Sequence, residues 1–541
     1  MTRPASSPTL SHPDQTTLRR ALSEIKAGHF EAMLAVLQPY AKLDEPQIQT
    51  LLGLCYAGTY APRKAAELFC ATATKNPLAQ HPLQDLSEIM VALDRREDVL
   101  PVCREALKLT PKDARVLEAL GGMLGQMGQF DEALEVLREA VALRPNNTLA
   151  ANLLAMVLAE KGDMEGALDV LQAVKEEHPD HAGTLSNIGC VLSNMGKLEE
   201  ALDFYRRAIT YRPTNAQIRL NHSITLLKAG RYAQGWAEHE WRFKLPGHTS
   251  LPPEQLMPSL GPNTDIRGKR ILITQEEGLG DTLMYLRYIE PLARRGAIPH
   301  LWVPDTLADL CRRVTGAIEV QVGGDVPAYD WHCPFISLPR VFAATEDAMG
   351  ASVPYLKADP DKIKYFSTFL PRNRKLNVGL VWGGAPRPNL VGPYMVDRRR
   401  SMNLHTLAPL AAVRGINLIS LQKGPYAEQM LDLPEDMVLY DPTDELHSMD
   451  DTAALIMSLD VVVSVDTSCV HLASALGKPV LMMDRYDNCW RWLHNQTTSP
   501  WYPDLRIIRQ KAPREWDGVV QEVVQSLTHR VKQKRTGTKA R

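Results

Sequence analysis

Hydrophobic positions along the chain follow two different rhythms, and the change falls near Lys244. Upstream, apolar and small residues recur at helical spacing, and the pattern itself repeats. Gly128, Gly162, Gly196 and Gly230 stand 34 residues apart, and Pro77, Pro111, Pro145, Pro179 and Pro213 keep the same step. Between them Ala106, Ala133-Leu134, Ala140, Ala167-Leu168, Ala201-Leu202 and Ala208 supply small side chains on which helices pack closely. One helix pair cannot bury its apolar face alone, so units of this kind predict a stacked superhelix with a concave surface. The register is clean from Pro111 to Pro213 and looser upstream, where Gly28 and Gly58 are 30 apart. RYAQGWAEHEWRF, from Arg231 to Phe243, reads as a last, atypical unit with Trp236 and Trp241 covering its end.

From Leu245 the rhythm breaks. Pro246, Pro252, Pro253, Pro258 and Pro262 exclude a helix or a central strand and predict a semi-rigid connection. Beyond it, short β-branched runs alternate with amphipathic stretches. Ile271–Ile273, HLWVP, Ile318–Val322, Phe335–Leu338, NVGLVWGG from Asn377 and Ile416–Leu421 predict strands. DTLMYLRYIEPLARRG from Asp281, Leu404–Ala412 and Thr452–Leu459 predict helices. Val461–Met483, VVVSVDTSCVHLASALGKPVLMM, reads as strand, helix and strand, with Gly477 ending the helix. Such alternation predicts two doubly wound halves facing across a cleft, with ligands at the carboxyl ends of the strands. The expected organisation is a disordered N-terminus over 1–14, a repeat array over 15–244 and a proline-rich linker over 245–264. The α/β halves then cover 265–372 and 373–528, and a disordered basic tail covers 529–541.

Composition narrows the classes. A 45% hydrophobic and 23% charged chain is ordinary for a soluble globular protein. A net charge of −2 gives no field to gather nucleic acid, so no nucleic-acid partner is expected. Eight cysteines without C-x-x-C spacing argue against a zinc ribbon or disulfide framework and for thiols in a reducing compartment. The start has no apolar signal region and no run approaches 18 apolar residues. A cytoplasmic protein with no transmembrane segment is expected.

Candidate chemistry gathers at predicted strand ends. Asp466 and Thr467 follow a buried strand, and Thr467 and His471, four apart, share one helix face. Either Asp466 is only a cap and His471 a buried core histidine, or the pair marks a site for an anionic ligand. Gly278-Leu279-Gly280-Asp281 lies between a strand and a helix, so Asp281 is either an N-cap or a carboxylate pointing into the cleft as a general base. Trp382-Gly383-Gly384 ends a strand, where N–H groups can form a shallow anion nest. Arg398, Arg399 and Arg400 are expected in a loop, either as a solvated face or with one of them, Arg400, reaching a diphosphate, and Lys423 ends another strand. Trp490-Arg491-Trp492 and Trp501-Tyr502 are either a wall beside the ligand or core packing. With no H-E-x-x-H, D-x-D or clustered Cys/His in the cleft segments, no metal is expected.

Two resemblances sharpen this reading. The 34-residue period resembles the tetratricopeptide repeat, whose groove implies a protein or peptide partner. D-T-x-x-x-H-L-A-x-A-L-G-x-P-V at Asp466–Val480 resembles the donor-site signature of glycosyltransferase family 9, the heptosyltransferase-like enzymes. That resemblance covers roughly 270–510 and implies a GT-B fold, acceptor half first, with a nucleotide-sugar as substrate and no cofactor. Gly280-Asp281-Thr282-Leu283 is similar to the family's G-D-x-L context for its proposed base, and Arg400 to a basic donor-binding residue. The family usually has glycine where Ser468 stands, so a Cβ there narrows the approach to the diphosphate. The expected donor-binding set is Gly383, Gly384, Arg400, Lys423, Asp466, Thr467, Ser468 and His471, with Asp281 catalytic. The fold class expected is multidomain: an all-α repeat superhelix followed by an α/β GT-B region of two Rossmann-like halves. Function divides into an inverting, metal-independent glycosyltransferase whose repeats bind a protein acceptor or partner, and a non-catalytic repeat scaffold with a degenerate nucleotide-binding module.

Overall fold

The computed structural model describes residues 13, 15–77, 79–245 and 251–537; the expected disordered N-terminus, the first part of the proline-rich linker and the last four residues lie outside them. The N-terminal region is all helical and the C-terminal region is α/β with two parallel sheets. Helix pairs follow the sequence period: Ala114–Met127 with Phe130–Leu143, Thr148–Lys161 with Met164–Glu177, Ala182–Asn194 with Leu198–Tyr211, and Ala216–Lys228 with Tyr232–His239. Gly128, Gly162, Gly196 and Gly230 turn each pair with φ of 77°, 108°, 79° and 74°, the left-handed region where a Cβ is penalised. That backbone need is why glycine recurs at this step.

Contacts divide the chain into two compact units, and the division falls inside the repeats. The first runs to Asn187 and includes Pro386–Val396, where the Arg96 guanidinium lies 4.6 Å above the Tyr394 ring. The second joins Ile188–Ala385 to Asp397–Arg541.

In the second unit, β1 (Arg270–Thr274), β2 (Ile298–Trp302), β3 (Glu319–Gln321) and β4 (Trp331–Pro334) form a sheet in the order β3-β2-β1-β4. A second sheet has the order β10-β9-β8-β5-β6-β7. Its strands are β5 (Leu376–Val381), β6 (Ile416–Ser420), β7 (Leu439–Tyr440), β8 (Val461–Val465), β9 (Val480–Asp484) and β10 (Leu505–Arg509). All pairings are parallel. Every residue of β8 and β9 is buried, as strands covered on both faces require.

One hydrophobic cluster runs from Leu227 and Trp236 of the last helix pair through the first sheet to Val381 and Val462 of the second and to Val470 in the helix after β8. Trp236 meets Trp490 edge-on at 5.0 Å, and Arg242 is 1% exposed with Nε and Nη2 donating to Glu276 at 2.9 and 3.0 Å. The final repeats are thus part of the α/β core. The far face of the second sheet is covered by Asp517–Thr536 through Val519, Val523, Leu527 and Val531.

Several expectations are corrected. Phe335–Leu338 is not a strand: β4 ends at Pro334, and Phe335–Ser337 and Leu338–Phe342 are helical. Leu404–Ala412 is a 3₁₀-helix with Pro409 inside it, since proline forbids a regular α-helical hydrogen bond there. Arg398–Arg400 close the helix Val391–Arg400 and are not in a loop. The stretch expected to be disordered after Arg530 is helical to Thr536, because Val531 is buried and Lys534 pairs with Asp460. Beyond its undescribed first part, the linker is built into the fold: Leu256 bridges His332, and Met257 and Leu260 are buried. Pro360–Ser367, expected in the first α/β half, packs against Met449–Met457 of the second, with Lys362 bonded to Asp451.

Candidate functional site

The two motifs singled out in separate halves meet. β1 ends at Thr274, and the loop after it leads through Gly278, the N-cap, into the helix Leu279–Tyr285. β8 ends at Val465, and Ser468–Ala475 starts at once, with Thr467 as N-cap. These two helices pack together. A Cβ on Gly280 would lie 2.9 Å from the His471 ring and 3.4 Å from the Ser468 Cα. Gly280 is therefore the residue that lets its helix approach the Ser468 backbone and the His471 ring.

Asp281 lies in the first turn of its helix, behind Gly278 at the N-cap. Its carboxylate pairs with Arg491 from the helical turn Trp490–Trp492, and both side chains are largely enclosed. Arg491 also donates to Cys489 Sγ at 3.0 Å. The cap reading of Asp281 is thereby replaced by an ion pair across the two halves, formed by an arginine that the sequence had shown only as part of an aromatic segment.

His471 is buried; its Nδ1 and the Tyr502 hydroxyl are 3.0 Å apart, and its ring stacks on Trp492. Burial pushes its pKa down to about 4, so the imidazole is neutral at neutral pH. Trp490, Trp492, Trp501 and Tyr502 are all buried in this packing. Asp466 does not cap the helix with its side chain; its carbonyl accepts from Arg400 Nη1 at 3.0 Å. Thr467 Oγ1 is 3.1 Å from Ser464 Oγ.

Arg400 is held between that carbonyl and the buried Asp397, which accepts from its Nε at 3.1 Å. The nest expected at Trp382-Gly383-Gly384 is already filled by the protein: Trp382 N and Gly383 N donate to Gln422 Oε1, both at 2.9 Å, and Gly384 N donates to Ser401 Oγ at 3.0 Å. An anion competing there has to displace two side chains. Lys423 Nζ donates to the Thr443 and Leu446 carbonyls, so its charge fixes the following loop. Arg400, Asp466, Thr467, Ser468 and His471 cluster on the carboxyl side of β8; Lys423 binds elsewhere.

In the first unit, a groove of about 640 Å³ has Leu18, Leu22, Leu51 and Ile89 among its apolar lining, with Arg19 and Glu88 of opposite charge. Among the described residues no group of three or more His, Cys, Asp or Glu is arranged to hold a metal, and no helix is long and apolar enough to cross a membrane.

Tetratricopeptide repeat models match residues 126–185 and 182–215. The curated Protein FlbA of Caulobacter vibrioides is 26% identical over 343 residues, 58% of this chain; the chain spans about half, 55%, of that relative's length. A glycosyl transferase family 9 structure from Veillonella parvula covers 50% of this chain and 99% of its own, with 10% identity and a TM-score of 0.38. The E. coli ADP-heptose lps heptosyltransferase II structure covers 49% and 99%, with 14% identity and a TM-score of 0.36. The N-terminal region carries tetratricopeptide repeats, and the C-terminal region is similar to these glycosyltransferase structures.

Proposed function

We propose that the chain is an inverting, metal-independent glycosyltransferase that uses a nucleotide-activated sugar and whose repeats hold a protein acceptor or partner. The observation that carries this reading is the convergence of Gly280-Asp281 with Ser468-His471, two strand-end motifs from different sheets brought to one surface. A donor bound at the carboxyl end of β8 faces the Asp281 carboxylate from the opposite half. There Asp281 takes the proton of an acceptor hydroxyl as that oxygen attacks the sugar. Arg400 is oriented by Asp397 and the Asp466 carbonyl, which leaves a pre-placed cation beside the departing diphosphate. Neutral His471 supplies no cation; it fixes Tyr502 and the wall behind the site. For the acceptor step Arg491 has to release Asp281 or share it with substrate, because the guanidinium occupies the carboxylate oxygen it donates to.

That same ion pair, with the filled Gly383–Gly384 N–H groups, favours a second reading: a repeat scaffold whose α/β region no longer transfers sugar. The deciding experiment is calorimetry of the full chain with nucleoside diphosphates and nucleotide-sugars, followed by product detection with a protein acceptor. Binding with transfer supports the enzyme. Binding without transfer or donor hydrolysis under any acceptor condition supports the scaffold.

A further inference from the structure

A group of buried charges next to the candidate site plays no part in the reading above. It lies where β9 ends, along Arg485–His494, against the last helical repeats. Lys228 is 4% exposed, and its Nζ donates to the Ser193 carbonyl at 3.0 Å. Asp484, Arg485, Asp487 and Arg509 are its electrostatic neighbours. Arg399 pairs with Asp487 at 3.0 Å, and Arg509 Nε donates to Asp484 at 2.8 Å. Four cations therefore face three carboxylates, Asp484, Asp487 and Asp466.

Arg485 is the odd member. It is 8% exposed, its Nη1 is 3.4 Å from Asp487 Oδ2, and neither its Nε nor its Nη1 makes a hydrogen bond. Asn488 Oδ1, His494 Nδ1 and Gln510 Nε2 are also buried without a partner. The His494 ring occupies the space a Cβ on Gly196 would need, so repeats and loop are in close contact here. Asp466, at the end of neighbouring β8, acts on Arg485 electrostatically, which puts the seam beside the donor-side cluster. Buried cations in excess of their counter-charges are strongly unfavourable, and open guanidinium N–H groups in a low dielectric bind oxyanions through charge-assisted hydrogen bonds.

We propose that this seam is an oxyanion site for a phosphate or diphosphate group, with Arg485 as the anchoring donor and Lys228, from the repeat array, closing one side. Its occupant is either the diphosphate of a donor nucleotide, which rests on the glycosyltransferase reading, or free phosphate, which does not. Burial above all pushes the Lys228 ammonium down to about 8, and an oxyanion beside it would push it back up.

The test uses the full chain with inorganic pyrophosphate, orthophosphate and nucleoside diphosphates, by calorimetry and thermal melting at constant ionic strength. Pyrophosphate is expected to bind and raise the melting temperature, and Arg485→Met and Lys228→Met each to weaken it about tenfold or more. Arg485→Met removes an under-paired cation, so its phosphate-free melting temperature should stay within a few degrees of wild type or rise. Competition between pyrophosphate and a nucleoside diphosphate, both weakened by Arg485→Met, assigns the site to the donor. Pyrophosphate or orthophosphate binding without nucleotide competition keeps the oxyanion site and removes its link to a donor. No phosphate effect on wild type at millimolar concentration, or unchanged affinity in both variants, overturns the proposal and leaves ordered water as the partner of these atoms.

Discussion

At the scale of single residues the decisive group is Asp281. Asp281→Asn keeps the shape of the side chain but weakens the pair with Arg491 and removes the carboxylate proposed to accept the proton. Sugar transfer at saturating donor is expected to fall about 10²–10⁴-fold, while nucleotide affinity stays near wild type. Transfer within a few-fold of wild type would show that the carboxylate only ties the halves together. Arg400→Ala should weaken donor binding about ten- to a hundredfold, read by calorimetry, since one charge-assisted hydrogen bond to phosphate is lost. His471 gives a pH signature. The folded protein holds it neutral with a pKa near 4, whereas the unfolded chain takes up a proton below its ordinary value near 6.5. Its contribution is fully present above pH 6.5 and drains away as pH falls toward 4, at about 1.4 kcal/mol per unit of pKa difference. The urea midpoint of wild type should therefore drop more between pH 7 and pH 5 than that of His471→Gln; equal drops would place the acid sensitivity in other groups.

At the scale of elements, the repeating glycines and the VVVSVD and GLGD strand ends were legible because each answers a local rule: a left-handed turn, or a strand feeding a helix. What escaped was set by tertiary neighbours. Nothing near Arg491 in the chain announces Asp281, 210 positions away, and Trp490-Arg491-Trp492 carried only the general message that aromatics flank an arginine. Gly383 and Gly384 read as a nest because their backbone is free in sequence; Gln422, from the end of another strand, fills it. Phe335–Leu338 has the apolar run of a strand, but Pro334 and Pro339 around it favour a helical start. The boundary at the last repeat follows from Trp236 and Arg242. Arg242→Ala takes the guanidinium away from Glu276, while Glu240 keeps Arg340 at 3.1 Å, and should destabilise the second unit by about 3–5 kcal/mol, with Arg242→Met costing less. A fragment starting at Asp265 loses both contacts and should aggregate on size-exclusion chromatography, whereas one starting at Ile188 should remain monodisperse. Equal behaviour of the two would return the boundary to the proline-rich stretch.

At the scale of the whole molecule, the proposed acceptor groove and the proposed transfer site lie in different units and should be separable by mutation. Leu22 is 36% exposed in the groove of the first unit, so Leu22→Glu should leave stability within about 0.5 kcal/mol. Transfer to a protein acceptor is expected to fall, while donor binding and donor hydrolysis stay unchanged. A parallel loss of hydrolysis would mean that the groove acts on the chemistry and not on acceptor capture.

The burial of Trp236 and Arg242 in the α/β core also sets how such a chain can diversify. Where a repeat touches only its neighbours, units can be duplicated, deleted or exchanged along the array like links added to a chain. The last pair is fastened on its outer side as well, through Trp490 and Glu276. Change is thus biased away from the anchor: links distant from the sheets can be gained, lost or given new specificity, while those fastened to the α/β region, the Gly196 turn against His494 included, are inherited with the sheets they hold.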